Sequence, residues 1–154
     1  MRPDKYNHVN FGAPMITRNN TPELNMKRSD FLGLEFDWYA IDSVGSVAIL
    51  SSAGYGSIPD AVFDNFDIQQ SIADRFEKIT GLPEGADLMR IANVLAKIGV
   101  FVYDWKQRAG PYCRIDLLVT SSHIDTLGFE PTLKNAFVQL PDVQFSVDST
   151  LSIP

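Results

Sequence analysis

The sequence is poor in the residues that most often carry chemistry. Its 154 residues include one cysteine and two histidines. A single cysteine cannot form an internal disulfide, so nothing points to an oxidising compartment. His8, His123 and Cys113 are too few to build the usual tetrahedral zinc site. We therefore expect no metal and no other cofactor.

Long apolar runs and positive charge are also scarce. No stretch approaches the ~20 apolar residues that span a bilayer, and residues 1–14 lack the apolar run of a secretory signal. We therefore expect a cytoplasmic protein without a membrane partner. Nineteen acidic residues against 13 basic ones give a net charge of −6. This charge disfavours nucleic acid as a partner and suits a basic protein.

The remaining composition is that of an ordinary globular domain, with 45% hydrophobic and 21% charged residues. The length fits one domain, so we expect residues 1–154 to form a single α+β unit. Residues 1–30 are polar and rich in turn-forming residues. They are predicted to form an irregular N-terminal arm.

Two aromatic segment pairs predict β-hairpins. Phe36–Asp42 and Ser46–Ser51 flank a short loop that contains glycine, and Val100–Lys106 and Tyr112–Thr120 flank a second turn. The strands of the first hairpin are apolar on both faces, which indicates a sheet that is covered on both sides. Its tryptophan, Trp38, is therefore expected in the core.

Helical spacing of apolar residues predicts two helices between the hairpins, at about Pro59–Ile79 and about Glu84–Lys97. One more strand is expected near the end of the chain, at Val143–Leu151. The order ββ-αα-ββ-β indicates an α+β fold. We predict an antiparallel sheet, made of two hairpins plus the C-terminal strand, that packs against two central helices.

The second hairpin adds three predictions of detail. Phe101 is expected in the core, and Cys113 is expected to act as a small buried hydrophobe because it lies on the aliphatic side of its strand. The turn suggests a register in which Arg114 lies opposite Asp104, which would be a favourable cross-strand pair.

The loop Ala53–Pro59 follows a strand and precedes a helix, as a dinucleotide-binding loop does. The full fingerprint needs a third glycine three residues after Gly56, and Pro59 occupies that position. A tight turn is the preferred interpretation, with Tyr55 exposed at its tip. An anion at the helix start remains physically allowed. The alternative function is therefore a small-molecule or nucleotide-binding regulatory domain that uses the Gly54–Pro59 loop.

Three carboxylates follow this loop at helical spacing: Asp60, Asp64 and Asp67. A metal-dependent enzyme built on them is a further hypothesis, but the spacing of a dedicated calcium loop is absent. A solvated acidic face is preferred, and a basic partner would bind there. The segment Ser121–Asp125 does not indicate a catalytic triad, because triad members are recognised by geometry and not by adjacency. The candidate partner-binding residues are Tyr55, Asp60, Asp64 and Asp67.

Two blocks of the chain carry a family resemblance. The first consists of Phe36–Asp42, Gly45, Val47, Ser51–Gly56 and Pro59, and the second of Gly99–Trp105 and Gly110–Tyr112. Both resemble small bacterial immunity proteins of polymorphic-toxin systems. The resemblance implies a non-enzymatic protein that binds and neutralises a cognate toxin, and it implies no catalytic residues. The acidic charge of the chain favours a basic toxin.

Overall fold

A computed structural model describes residues 28–83, 86–118 and 120–154 of the chain. The strands are β1 Asp37–Asp42, β2 Val47–Ser51, β3 Phe101–Trp105, β4 Tyr112–Arg114, β5 Val138–Leu140 and β6 Thr150–Leu151. The helices are α1 Asp60–Asp64, α2 Phe66–Thr80, α3 Leu88–Lys97 and α4 Pro131–Lys134, with 3-10 turns at Arg28–Phe31 and Ile124–Thr126. The predicted α+β class is confirmed. Most of the predicted arm, residues 1–27, lies outside the described residues.

The six strands form one sheet in the order β5-β1-β2-β3-β4-β6. β1–β2 and β3–β4 pair antiparallel, as the two predicted hairpins require. The prediction of an antiparallel sheet is therefore correct only in part: the sheet is mixed, because β2–β3 and β1–β5 pair parallel. The connection between β2 and β3 contains three helices, so it is long enough to return the chain to the starting end of the sheet.

The sheet is covered on both faces, and each face has its own hydrophobic core. One face carries Tyr39 and Val102 and packs against α2 and α3. The other carries Trp38 and Phe101 and packs against residues outside the sheet such as Phe145. Trp38 and Phe101 are both buried, as predicted. Burial on both faces explains why the strands of the first hairpin lack a polar side.

The predicted helix at Pro59–Ile79 is interrupted. α1 ends at Asp64, Asn65 has φ −123° and ψ 34°, and α2 starts at Phe66. The Asn65 side-chain amide donates to the Ala61 carbonyl (2.9 Å), and two α2 amides donate to the Asn65 carbonyl. Asparagine thus closes one helix and opens the next, because its short polar side chain competes for backbone groups.

The second predicted helix exists but is shorter than expected. α3 starts at Leu88 because the Asp87 carboxylate caps it, accepting from the Arg90 amide at 2.9 Å. An aspartate at the N-cap position satisfies one of the amides that the first helical turn leaves unpaired. The predicted start, Glu84, lies outside the described residues.

The predicted register of the second hairpin is wrong by one residue. Arg114 lies opposite Tyr103, and Cys113 lies opposite Asp104. A one-residue shift moves a side chain to the other face of the sheet. Arg114 therefore points to the Phe101 side, where its guanidinium donates to the Phe145 carbonyl at 2.7 Å.

β4 is also shorter than the predicted strand Tyr112–Thr120, because it ends at Arg114. Just after it, the Asp116 carboxylate accepts hydrogen bonds from the amides of Val102 (2.8 Å) and Leu118 (3.0 Å). At Val102 of β3, the Asp116 side chain therefore takes the place of a backbone acceptor from β4, and the pairing of β3 with β4 ends.

Most of the predicted strand Val143–Leu151 is irregular, and only Thr150–Leu151 pairs. The segment before it is held by side chains instead. The Phe145 amide donates to the Asp42 carboxylate at 2.9 Å, and the Phe145 ring is buried between aromatic neighbours. β5 and α4 are absent from the sequence prediction, since both are only three or four residues long.

Candidate functional site

Tyr55 is exposed at the tip of the loop between β2 and α1, with 57% of its surface accessible. The backbone turns just before it, with positive φ angles at Ala53 (49°) and Gly54 (82°). The guanidinium carbon of Arg108, from the β3–β4 turn, lies 5.6 Å from the ring centroid. The predicted exposure of Tyr55 is confirmed, and one face of its ring already contacts a cation.

Two exposed leucines lie in a neighbouring segment that contacts this loop. The Gly33 amide donates to the Gly54 carbonyl at 3.1 Å, which ties the segment before β1 to the loop after β2. A side chain at Gly54 would approach the Gly33 backbone to 3.1 Å, so the two segments are in close contact. Leu32 is 76% exposed and Leu34 41% exposed on either side of Gly33. We call Leu32, Leu34 and Tyr55 the apolar patch.

The three predicted acidic residues are exposed but do not share one helix. Asp60 and Asp64 lie on α1, and Asp67 lies in the first turn of α2, beyond the break at Asn65. The prediction of one continuous helical face is therefore wrong. We call these three residues the acidic segment.

Aromatic packing fixes the segment that bears the apolar patch against the helices that bear the acidic segment. The Phe31 ring lies 5.1 Å from that of Phe63 on α1 and 5.4 Å from that of Phe66 on α2. Phe31 immediately precedes Leu32, so these ring contacts anchor the backbone before the leucines to α1 and to the start of α2.

The Gly-rich loop uses its own amides. The amides of Tyr55 (3.0 Å) and Gly56 (2.7 Å) donate to the Ser52 carbonyl, and that of Gly54 donates to the Ser52 hydroxyl at 3.4 Å. A phosphate cradle needs such amides to point at its ligand. α1 is only five residues long and follows Pro59, which has no N–H. The nucleotide-binding alternative stays a prediction, with these three amides already engaged.

The polar side chains around His123 make structural contacts. The His123 Nδ1 accepts from the Asp125 amide at 3.2 Å, and Lys134 Nζ lies 2.8 Å from the Asp125 carboxylate. The hydrogen bond from Lys134 and its charge lower the pKa of Asp125. Cys113 is only half-buried, so its predicted core position is not fully reached. Within residues 28–83, 86–118 and 120–154, no group of three histidine, cysteine or acidic side chains is placed to hold a metal.

A groove of about 410 Å³ lies between α2 and the segment that enters α4. Most of the residues that line it are polar or charged, and both signs of charge are present: Ser71, Asp74, Arg75, Lys78, Gly128, Glu130 and Leu133. Small-molecule sites of this size are mostly apolar with a few converging polar groups. The groove lacks that character, so it adds no support for a small-molecule ligand.

Sequence reasoning identified Tyr55 and the acidic segment as exposed residues but missed Leu32 and Leu34. A signal for them exists, since two leucines flank a glycine in a stretch without strand or helix periodicity. Their proximity to Tyr55 depends on the bond between Gly33 and Gly54, 21 residues apart, which local patterns do not reveal.

No helix in the described part of the chain is both long and apolar enough to cross a membrane. Comparison of the chain with protein-family models, with curated proteins and with solved structures gives no match. Its function is therefore argued from the chemistry of the surface.

Proposed function

We propose that this chain is a non-enzymatic, cytoplasmic immunity protein that binds and neutralises a cognate bacterial toxin domain. The observation that carries the proposal is the apolar patch, three exposed large side chains on two segments whose backbones are joined by the hydrogen bond between Gly33 and Gly54. Exposed apolar clusters with a polar rim are typical of protein-binding sites.

Arg108 covers one face of the Tyr55 ring, but the acidic segment and the net charge of the chain favour a basic partner. Asp60, Asp64 and Asp67 are exposed on the two helices against which the patch segment packs. The whole chain carries a charge of −6. Complementary charge accelerates encounter and selects the partner, while buried apolar and aromatic anchors supply most of the affinity. We therefore assign affinity to the apolar patch and partner selection to the acidic segment.

The resemblance of the two sequence blocks to immunity proteins implies the same role. Its first block contains the loop that presents Tyr55. The other aromatic residues of the two blocks lie in β1, β3 and β4 or, for Phe36, just before β1, and Trp38, Phe101 and Tyr103 among them are buried. On this proposal the matching residues build the scaffold, and the loop and the leucines beside it make contact.

The test is co-expression with the toxic domain encoded beside the gene. The wild-type chain should restore growth of the host cells and co-purify with the toxic domain as a stable complex. The proposal is wrong if toxicity persists and no complex forms when both proteins are soluble.

A matched pair of variants tests the surface. Leu32→Glu places a charge in the apolar patch and should weaken the complex at least about tenfold, or about 1.4 kcal/mol. Leu117→Glu is the control, because Leu117 is also highly exposed (79%) but lies after β4. Equal affinities for the two variants would refute the assignment of the surface, even if the complex itself exists.

A further inference from the structure

Three side-chain polar atoms are buried without a hydrogen-bond partner in the part of the chain that the structure describes. They are Oδ2 of Asp37, the hydroxyl of Tyr39 and Oε1 of Gln69. Asp37 and Tyr39 lie two residues apart on β1, so their side chains project from the same face of the sheet. Gln69 lies on α2, which packs against that face. Unpaired buried polar atoms are rare in folded proteins because each is costly.

The three residues line one small cavity between β1 and α2. Its volume is about 10 Å³, and its other walls are Phe36, Phe66, Gln70 and Ala73. A cavity of roughly 10–15 Å³ holds a single water molecule, and a water needs two to four polar partners. The cavity therefore satisfies both conditions for hydration.

The orientation of the Gln69 amide is set by its surroundings. Its Nε2 donates to the Ala136 carbonyl at 2.7 Å. A flipped amide would place Oε1 against that carbonyl, and two acceptors would repel each other. Oε1 is thus the acceptor left for the cavity.

The hydrogen-bonding capacities of the three atoms match those of one water molecule. Gln69 Oε1 only accepts, a carboxyl oxygen of Asp37 accepts, and the Tyr39 hydroxyl can donate. A water has two protons and two lone pairs. We propose that this cavity is a specific hydration site, in which one ordered water donates to Gln69 and Asp37 and accepts from Tyr39.

Such a water would join the sheet to α2 at a point where apolar contacts surround it. Tyr39 stacks on Phe76 of α2 with ring centroids 5.5 Å apart, so its hydroxyl is held in place. Ser51 lies directly opposite Asp37 on β2, so its side chain is beside the Asp37 carboxyl. The site is preorganised on rigid elements, and it is independent of the proposed function.

A crystal structure of the whole chain tests the proposal directly. We expect density for one water at about 2.7–3.2 Å from each of the three atoms. A dry cavity would overturn the proposal. A Tyr39 hydroxyl that donates directly to Asp37 or Gln69 would overturn it equally.

A variant gives a second, independent measurement. Tyr39→Phe keeps the ring stack and removes the donor, so the water loses one of three partners. The ratio of folded to unfolded protein should drop about 5–30-fold. Tyr55→Phe is the control for folding stability, because its hydroxyl is removed from an exposed ring. Equal ratios for the two variants would contradict the site, and if Tyr39→Phe does not fold, the wild-type density decides.

Discussion

Asp42 is a buried carboxylate that accepts hydrogen bonds from three backbone amides, and its removal should be severely destabilising. One carboxylate oxygen accepts from the amides of Val44 (3.0 Å) and Ser46 (2.8 Å), which closes the β1–β2 turn. The other accepts from the Phe145 amide at 2.9 Å, which anchors the C-terminal segment. Asp42 thus joins two regions that are 103 residues apart.

The structure sets the magnitude for Asp42→Ala. The bonds from Ser46 and Phe145 are buried, so truncation leaves two buried donors unpaired. Each costs about 1–3 kcal/mol, which gives about 2–6 kcal/mol in total. We expect a loss of about 4 kcal/mol, a large share of the roughly 5–15 kcal/mol that stabilises a domain.

Urea unfolding followed by tryptophan fluorescence measures this loss. Asp42→Asn should cost less stability than Asp42→Ala, because the side-chain amide keeps one acceptor oxygen. It should still be destabilising, because its NH2 group then faces a backbone N–H donor. Asp64→Ala is the control at an exposed aspartate and should change stability by less than about 0.5 kcal/mol. A loss below about 1 kcal/mol for Asp42→Ala would refute the role of Asp42 as a structural hub.

Three further predictions follow from single residues. Burial, with Glu35 and Asp104 nearby, raises the pKa of Asp37 well above its ordinary value, so the free energy of unfolding should fall as the pH rises and the buried carboxyl loses its proton. Unfolding measured at several pH values should show a shallower fall for Asp37→Asn than for the wild type, and an equal slope would contradict this. Tyr112→Phe loses the hydroxyl that accepts from Trp38 (3.1 Å) and donates to the Ser57 carbonyl (2.9 Å). The free energy of unfolding in urea should fall by about 1–3 kcal/mol, and no loss would mean that these two hydrogen bonds do not stabilise the fold. Asp87→Ala removes the cap of α3 and should cost about 1 kcal/mol by thermal unfolding, a value that an unchanged midpoint would exclude.

Local patterns predicted the elements better than their pairing. The aromatic and β-branched runs in β1, β2 and β3 predict strands because such residues suit a pleated, buried surface. The direction in which β3 joins β2 depends on the path of the helical connection, which no local pattern encodes. The helix break depends on one side-chain bond from Asn65 to Ala61, and its effect becomes clear only in three dimensions.

The candidate site also contains both a residue that the sequence predicts and residues that only the fold reveals. Tyr55 could be predicted as exposed because an aromatic residue between two glycines has little scaffold around it. Leu32 and Leu34 join it through a contact between distant segments, and the hydration site needs β1 packed against α2. Residues that act together across the fold therefore escape sequence reasoning, whereas the exposure of one aromatic residue in a glycine-rich loop does not.

Hydrogen exchange of the chain, alone and with the toxic domain encoded beside its gene, tests the central claim most directly. The account predicts that complex formation slows exchange at residues 32–34 and 53–57, where backbone amides lie under the apolar patch. Slower exchange confined to other segments, such as those that line the groove beside Arg75, would contradict it.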